Sequence, residues 1–147
     1  MGADVINSLK VNCSTSNLKA IRKFVDESLK AIEVSDYDTS LIILAVDEVC
    51  SNLIIHSNLE NDEEILTLFI KLERQGEDIV FEIIDYGIAF NYSDYKEPNI
   101  DDLIKEKRRG SIGLMLVRRI MDRIEFKTED NHNVCRLYKR LPNQKVA

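Results

Sequence analysis

The 147-residue sequence contains no tryptophan, two prolines, five glycines and two histidines, and its three cysteines lie far apart. Cys13, Cys50 and Cys135 form no Cys-x-x-Cys pair, and His56 and His132 are the only histidines, so a zinc or iron–sulfur site is not expected. An odd number of scattered thiols fits a reducing compartment. We therefore expect a cytoplasmic protein whose cysteines are ordinary small core residues.

Long apolar runs and an excess of positive charge are also missing. The longest apolar run is LIILAV, far shorter than the roughly 20 residues that a membrane-spanning helix needs. The first residues, MGADVINSLK, lack the basic and apolar segments of a secretory signal. The net charge of −6 and the pI of about 5.0 disfavour nucleic acid and anionic membranes as partners.

The composition is that of one globular domain spanning residues 1–147, with 44% hydrophobic and 31% charged residues. Apolar spacing predicts helices over about 18–32, 36–57 and 111–123, and strands over about 5–11, 64–75, 79–87, 124–128 and 134–141. Residues 86 to about 109 are irregular, which is typical of a long functional loop or else of a disordered segment. The resulting order, β-α-α-β-β-loop-α-β-β, predicts an α+β fold in which three helices cover one face of a mostly antiparallel sheet.

The segment DEVCSNLIIHS places a carboxylate, an amide and an imidazole in one column of the second helix, because Glu48, Asn52 and His56 are four residues apart. A carboxylate and an amide oxygen one turn apart can bind Mg²⁺, directly or through water, and can orient a nucleophile. The same residues also fit a partly exposed helix edge with no chemical role.

Asp85 ends a predicted strand on the same face as the apolar Phe81 and Ile83. A carboxylate there can accept a hydrogen bond from an exocyclic amine such as that of adenine, and Gly87 lets a flat ring approach the backbone. Asp and Gly are also frequent in the turns that follow strands, so an ordinary β-turn is the alternative.

The segment KRRGSIGL combines basic residues with a small-residue turn that opens a helix. The free N–H groups at a helix start, together with the helix dipole, favour a phosphate group at this position. The alternative is an ordinary helix start that is preceded by solvated basic residues.

Taken together, the three motifs resemble those of the GHKL superfamily of ATP-binding domains, which includes the histidine kinases. AVDEVCSNLIIHS resembles the N box of that superfamily, DYGIAFN its first glycine box, and RRGSIGLMLVRRIMDRIEF its second. The similarity extends to Leu141 and is greatest to the stand-alone anti-sigma-factor serine/threonine kinases of the RsbW type. It implies a Bergerat-type two-layer α/β sandwich with a mostly antiparallel mixed sheet and a long ATP lid at about 86–110.

The resemblance also implies roles for individual residues. Glu48 would be the general base and Asn52 the Mg²⁺ ligand, while Asp85 and Gly87 would bind adenine. His56 matches a position that is often histidine in this group, and we interpret it as a supporting residue. The lid and phosphate site would include Arg109, Gly110, Ser111, Gly113 and Leu114.

The implied function is that of a protein kinase with ATP and Mg²⁺ as cofactors. It would phosphorylate a serine or threonine of an antagonist protein with a STAS domain, sequester a sigma factor, and act as a homodimer. The second glycine box usually reads Gly-x-Gly, and here Ser111 occupies its first position. This departure leaves a non-catalytic partner-binding module with weak or no nucleotide binding as the alternative. A nucleotide-operated ATPase switch without a protein substrate is a further alternative.

Overall fold

The computed structural model describes residues 4–60, 67–85, 109–129 and 132–141. The elements are, in chain order, β1 (Asp4–Asn12), a short 3₁₀ helix (Thr15–Asn17), α1 (Leu18–Ala31), α2 (Asp36–Glu60), β2 (Thr67–Gln75), β3 (Asp78–Asp85), α3 (Arg109–Ile120), β4 (Arg123–Glu129) and β5 (His132–Arg140). This order confirms the predicted α+β architecture. Most of the predicted lid, residues 86–108, lies outside the described residues.

The five strands form one sheet in the order β1-β2-β3-β5-β4, and each of the four pairings between these strands is antiparallel. The hairpin between β2 and β3 turns at Gly76 and Glu77, where Gln75 pairs with Asp78. Gly76 has a φ of 63°, a left-handed conformation that glycine adopts without a steric penalty. Because β5 lies beside β3, the sheet brings together residues that are distant in sequence.

Local hydrogen bonds explain where the first two helices end and begin. α1 ends in a Schellman motif, because the amide of Val34 donates to the carbonyl of Leu29 and the amide of Glu33 donates to that of Lys30. Glu33 occupies the left-handed position of this motif, with a φ of 61°. α2 is capped by Ser35, whose Oγ accepts a hydrogen bond from the amide of Asp38 at 3.1 Å.

The core lies between the helices and one face of the sheet, and α2 is its central element. α2 packs against both α1 and α3, and it contacts β3. Its buried hydrophobic side chains are Ile42, Ala45, Val46, Val49, Cys50, Leu53 and Ile54. Within the described residues, no helix combines the length and the apolar composition that crossing a membrane requires. The residues that α2 contributes to function are therefore anchored in the centre of the fold.

The other face of the sheet carries paired charges. Lys71 Nζ lies 2.5 Å from Glu73 Oε1 and 3.5 Å from Glu82 Oε1. Arg136 Nε donates to the other carboxylate oxygen of Glu82 at 2.7 Å. The hydrogen bond between Lys71 and Glu73 raises the pKa of the lysine and lowers that of the glutamate. Glu82 of β3 is thus paired with a residue of each neighbouring strand, while Lys71 and Glu73 pair along β2.

β1 differs from the simple alternation that the sequence suggests. Val5, Leu9 and Val11 have the same parity, so a regular strand would carry them on one face, yet Val5 is 59% exposed. The pairing with β2 shifts register between Val5 and Asn7, so that Ile6 packs against the core in its place. The predicted strand is therefore present, but a bulge changes which of its residues face inward.

Candidate functional site

α2 carries Glu48 and Asn52 one turn apart, on neighbouring positions of the helix surface. The Nδ2 atom of Asn52 is buried and has no hydrogen-bond partner among the described residues. An unsatisfied buried donor costs free energy, so this amide fits a ligand that completes its hydrogen bonding. Its carboxamide can also turn by 180° and present its oxygen, which is the atom that a Mg²⁺ ion requires.

Glu48 and Gly113 are in direct contact across α2 and α3. A β-carbon on Gly113 would lie 2.0 Å from Glu48 Oε2 and 2.7 Å from its Cδ. The carboxylate of Glu48 therefore occupies the space that any larger residue at position 113 would fill. The structure thus joins one residue of the predicted N box to one residue of the predicted second glycine box.

Asp85 is fully buried at the end of β3, on the core face of the sheet. Its Oδ1 lies 3.9 Å from the thiol of Cys13, which acts as the donor, and its Oδ2 lies 3.4 Å from Asn133 Nδ2. A buried carboxylate is costly unless it is hydrogen-bonded, and here donors from two other parts of the chain approach its two oxygens. This arrangement fixes the carboxylate at the edge of the core.

α3 begins at Arg109, so Arg109, Gly110 and Ser111 form its first turn. Ser111 therefore has a right-handed helical backbone, which serine adopts without strain. The side chains of residues 109–112 lie outside the described part of the chain, whereas Leu114 is half-buried on α3. A helix that starts here presents its first N–H groups without intrahelical partners, which is the geometry expected of an anion site.

The three cysteines are all free and buried. Burial raises the pKa of the Cys135 thiol. Burial is also the main cause that raises the pKa of the Cys50 thiol, and electrostatic interactions with Cys135, Asp47 and Cys13 contribute less. The thiols of Cys50 and Cys135 therefore stay protonated and are poor nucleophiles at neutral pH.

Two further predicted residues are only partly described or lie outside the described ranges. Gly87 lies outside the described residues, and so does the side chain of His56. Within the described ranges, no three His, Cys, Asp or Glu side chains cluster as metal ligands. A Mg²⁺ ion that keeps waters and bonds the phosphates of a nucleotide does not need such a cluster, so the predicted role of Asn52 stays a prediction.

The sequence reasoning missed Cys13 and Asn133, which both contact Asp85. Asn133 pairs directly with Asp85 between β3 and β5. The predicted strands show that Asp85 lies at the end of a strand, but they do not show which strand lies beside it. Once β5 is placed next to β3, the parity of the two strands brings Asn133 to Asp85. Cys13 lies beyond the last residue of β1, and no periodic signal indicates its contact.

The model of the histidine kinase-like ATPase domain matches residues 11–139 of this chain. The chain therefore belongs to the histidine kinase-like ATPase family, as the three sequence boxes indicated. Membership agrees with the α+β sandwich and implies nucleotide binding. The helix with Glu48 and Asn52, the strand that ends at Asp85 and the start of α3 all lie within the matched range.

A more specific likeness is to the serine-protein kinase RsbW of Bacillus mycoides strain KBAB4. The two sequences are 27% identical over 95 residues, which cover 62% of this chain and 58% of that protein. The chain thus matches somewhat more than half of the length of this curated relative.

Two solved structures share the fold. The RsbU and RsbW domains of Rv1364c from Mycobacterium tuberculosis match with a TM-score of 0.60 and 16% identity, over 96% of this chain and 35% of that one. The SiaB–SiaC complex from Pseudomonas aeruginosa contains a chain that matches with a TM-score of 0.65 and 14% identity, over 91% of this chain and 89% of that one. At these identities the likeness concerns the fold alone.

Proposed function

We propose that this chain binds Mg·ATP and transfers the γ-phosphate to a serine or threonine of a partner protein. The observation that carries the proposal is the contact between Glu48 and Gly113. It puts a carboxylate from α2 beside the first turns of α3, the helix whose start suits a phosphate group. A base at this place can take the proton of a hydroxyl that attacks the phosphate.

The described residues suit the separate parts of this reaction. Asp85 accepts a hydrogen bond from the amino group of adenine, while Cys13 and Asn133 hold its carboxylate. Asn52 would hold Mg²⁺, which would supply positive charge to the phosphate oxygens. Glu48 takes the hydroxyl proton as the hydroxyl oxygen bonds to the γ-phosphorus and the bond to ADP breaks. Such transfer depends mostly on positioning and charge, so a carboxylate fixed by packing suits it.

The identity of the partner is a further part of the proposal. The resemblance of the three boxes to the anti-sigma-factor kinases favours a STAS-domain antagonist as the substrate and a sigma factor as the sequestered protein. The name of the Bacillus relative and the presence of SiaC in the SiaB complex support a protein partner. We also propose that the chain is a single cytoplasmic domain over residues 1–147 and that it forms a homodimer.

The decisive experiment is the transfer of labelled γ-phosphate from Mg·ATP to a candidate antagonist encoded near this protein. We expect transfer by the wild type and a loss of at least about 100-fold in Glu48→Gln, because the base is removed while the shape is kept. Glu27→Gln is a matched control, since Glu27 is an exposed residue of α1. Nucleotide binding without transfer to any neighbouring antagonist would refute the kinase function.

One sequence feature favours a second function, that of a partner-binding module without catalysis. Ser111 replaces the first glycine of the second glycine box, and this replacement can lower the affinity for the triphosphate. A thermal shift with millimolar Mg·ATP separates the two functions, because a ligand that binds the native state raises its Tm. No shift would favour the binding module.

A further inference from the structure

Gly113 is the fifth residue of α3, a place where glycine is unfavourable relative to alanine because it loses more backbone freedom. A positive φ does not explain the glycine. Among the described glycines, Gly76 is the one with a positive φ, so Gly113 has an ordinary right-handed backbone. An alanine could adopt the same conformation.

Anion binding through its own amide does not explain Gly113 either. In a regular α-helix each amide donates to the carbonyl four residues earlier, which pairs Gly113 with Arg109. The amides that lack such partners belong to the very start of the helix. A phosphate at the helix start would thus be bound by residues that precede Gly113.

The proximity of the Glu48 side chain explains why position 113 is glycine. A β-carbon at position 113 would lie 2.0, 2.7 and 3.2 Å from Oε2, Cδ and Cγ of Glu48. The first two distances are shorter than unbonded heavy atoms tolerate, and the conflict involves the functional end of the side chain. Gly113 is also buried, so the helix cannot relieve the conflict by turning this side to solvent. The Glu48 side chain is flexible, so the carboxylate would move away from its place at a small cost in stability.

We propose that Gly113 is a positioning residue, which leaves the space for the Glu48 carboxylate and so fixes the proposed base beside α3. The steric part of this inference is independent of catalysis. Its catalytic part rests on the proposed function. Two measurements separate them, one of stability and one of phosphate transfer.

The stability measurement compares Gly113→Ala in the wild type, in Glu48→Ala and in Asp47→Ala. Asp47 is a matched control because it is the neighbouring acid on α2 and pairs with Arg22 at 2.9 Å. We expect Gly113→Ala to give no gain in Tm, or a loss of up to about 3 °C, in the wild type and in Asp47→Ala, because displacing the flexible Glu48 side chain offsets the better helix propensity of alanine. In Glu48→Ala it should raise the Tm by about 2–4 °C, because alanine is the better helix former.

The difference between backgrounds is the critical result. Equal Tm shifts in all three backgrounds would overturn the inference. If Gly113→Ala prevents folding in the wild type, folding of the Glu48→Ala/Gly113→Ala protein supports it, and failure of that protein to fold overturns it.

The transfer measurement uses the wild-type and Gly113→Ala chains with Mg·ATP and the phosphate-accepting partner. We expect the rate at saturating ATP to fall about 100-fold, with the KM for ATP within about threefold of the wild type. A raised KM with an unchanged saturating rate would instead indicate a phosphate-binding role and overturn the catalytic part. If the wild type transfers no phosphate, the proposed function fails, while the Tm comparison still decides the steric relationship.

Discussion

Asn133 and Asp85 face each other across the pairing of β3 and β5, with Asn133 Nδ2 3.4 Å from Asp85 Oδ2. Cys13 approaches the other carboxylate oxygen at 3.9 Å. An aspartate carboxylate rotates easily about its last bond, so donors on both sides restrict its orientation. The proposed adenine contact of Asp85 therefore depends on two residues that lie far from it in sequence.

Replacing Asn133 by leucine should weaken the binding of ADP or ATP roughly tenfold, because a hydrogen bond to a charged group is lost while the volume is kept. Isothermal titration calorimetry measures this change. Cys135→Ala serves as the control, since Cys135 is buried two residues further along β5 and faces the core. Unchanged affinity in Asn133→Leu would show that Asp85 does not need this partner.

Asn52→Leu should raise the free energy of unfolding by about 1 kcal/mol in the absence of nucleotide, because an unsatisfied buried amide is removed. The same change should abolish the stabilisation by Mg·ATP if Asn52 holds the metal. Urea unfolding measures the first effect, and a thermal shift with Mg·ATP measures the second. A variant that is less stable than the wild type without nucleotide would contradict the expected cost of the buried amide.

Glu33→Gly should raise the free energy of unfolding by about 0.5–1 kcal/mol. Glu33 holds a φ of 61° at the end of α1, where glycine avoids the clash of a β-carbon with the backbone. Glu33→Ala removes the same charge but keeps the β-carbon, and it should give no gain. Equal gains in the two variants would assign the effect to charge rather than to backbone conformation.

Glu73→Gln should lower the free energy of unfolding by about 0.5–1 kcal/mol at pH 7. The hydrogen bond from Lys71 lowers the pKa of Glu73 below its ordinary value of 4.5. Its stabilising effect is therefore complete above that value and is lost as the pH falls through the lowered pKa. The difference between variant and wild type should shrink as the pH falls below 4.5 and through the lowered pKa, as measured by urea unfolding at several pH values. A difference that persists in acid would mean that the glutamine change acts through packing.

The sequence predicted the order of the elements well, because each helix and strand buries a periodic set of apolar residues. It could not indicate that Val5 is exposed, since a bulge in β1 is set by the pairing with β2 and leaves no mark on the apolar pattern. Strand order was also beyond the local pattern. The contact of Asn133 with Asp85 requires β5 to lie between β3 and β4, which depends on packing over the whole sheet.

For the candidate site too, the sequence identified individual residues but not the contacts between them. Glu48 and Gly113 were both identified from their motifs, but for separate reasons, as a base and as part of a phosphate turn. Their contact became visible only when α2 and α3 were packed together. Spacing within one helix can be read from a sequence, whereas contact between two helices depends on their crossing.

The burial of all three cysteines has a practical consequence for spectroscopy. A cysteine introduced at Tyr37, whose side chain is 74% exposed at the start of α2, would react with a fluorescent maleimide much faster than the native thiols. The chain also lacks tryptophan, so its intrinsic emission would overlap little with that of a dye. Singly labelled protein could thus be made without first removing any native cysteine, and its association with candidate partners could be followed by fluorescence anisotropy.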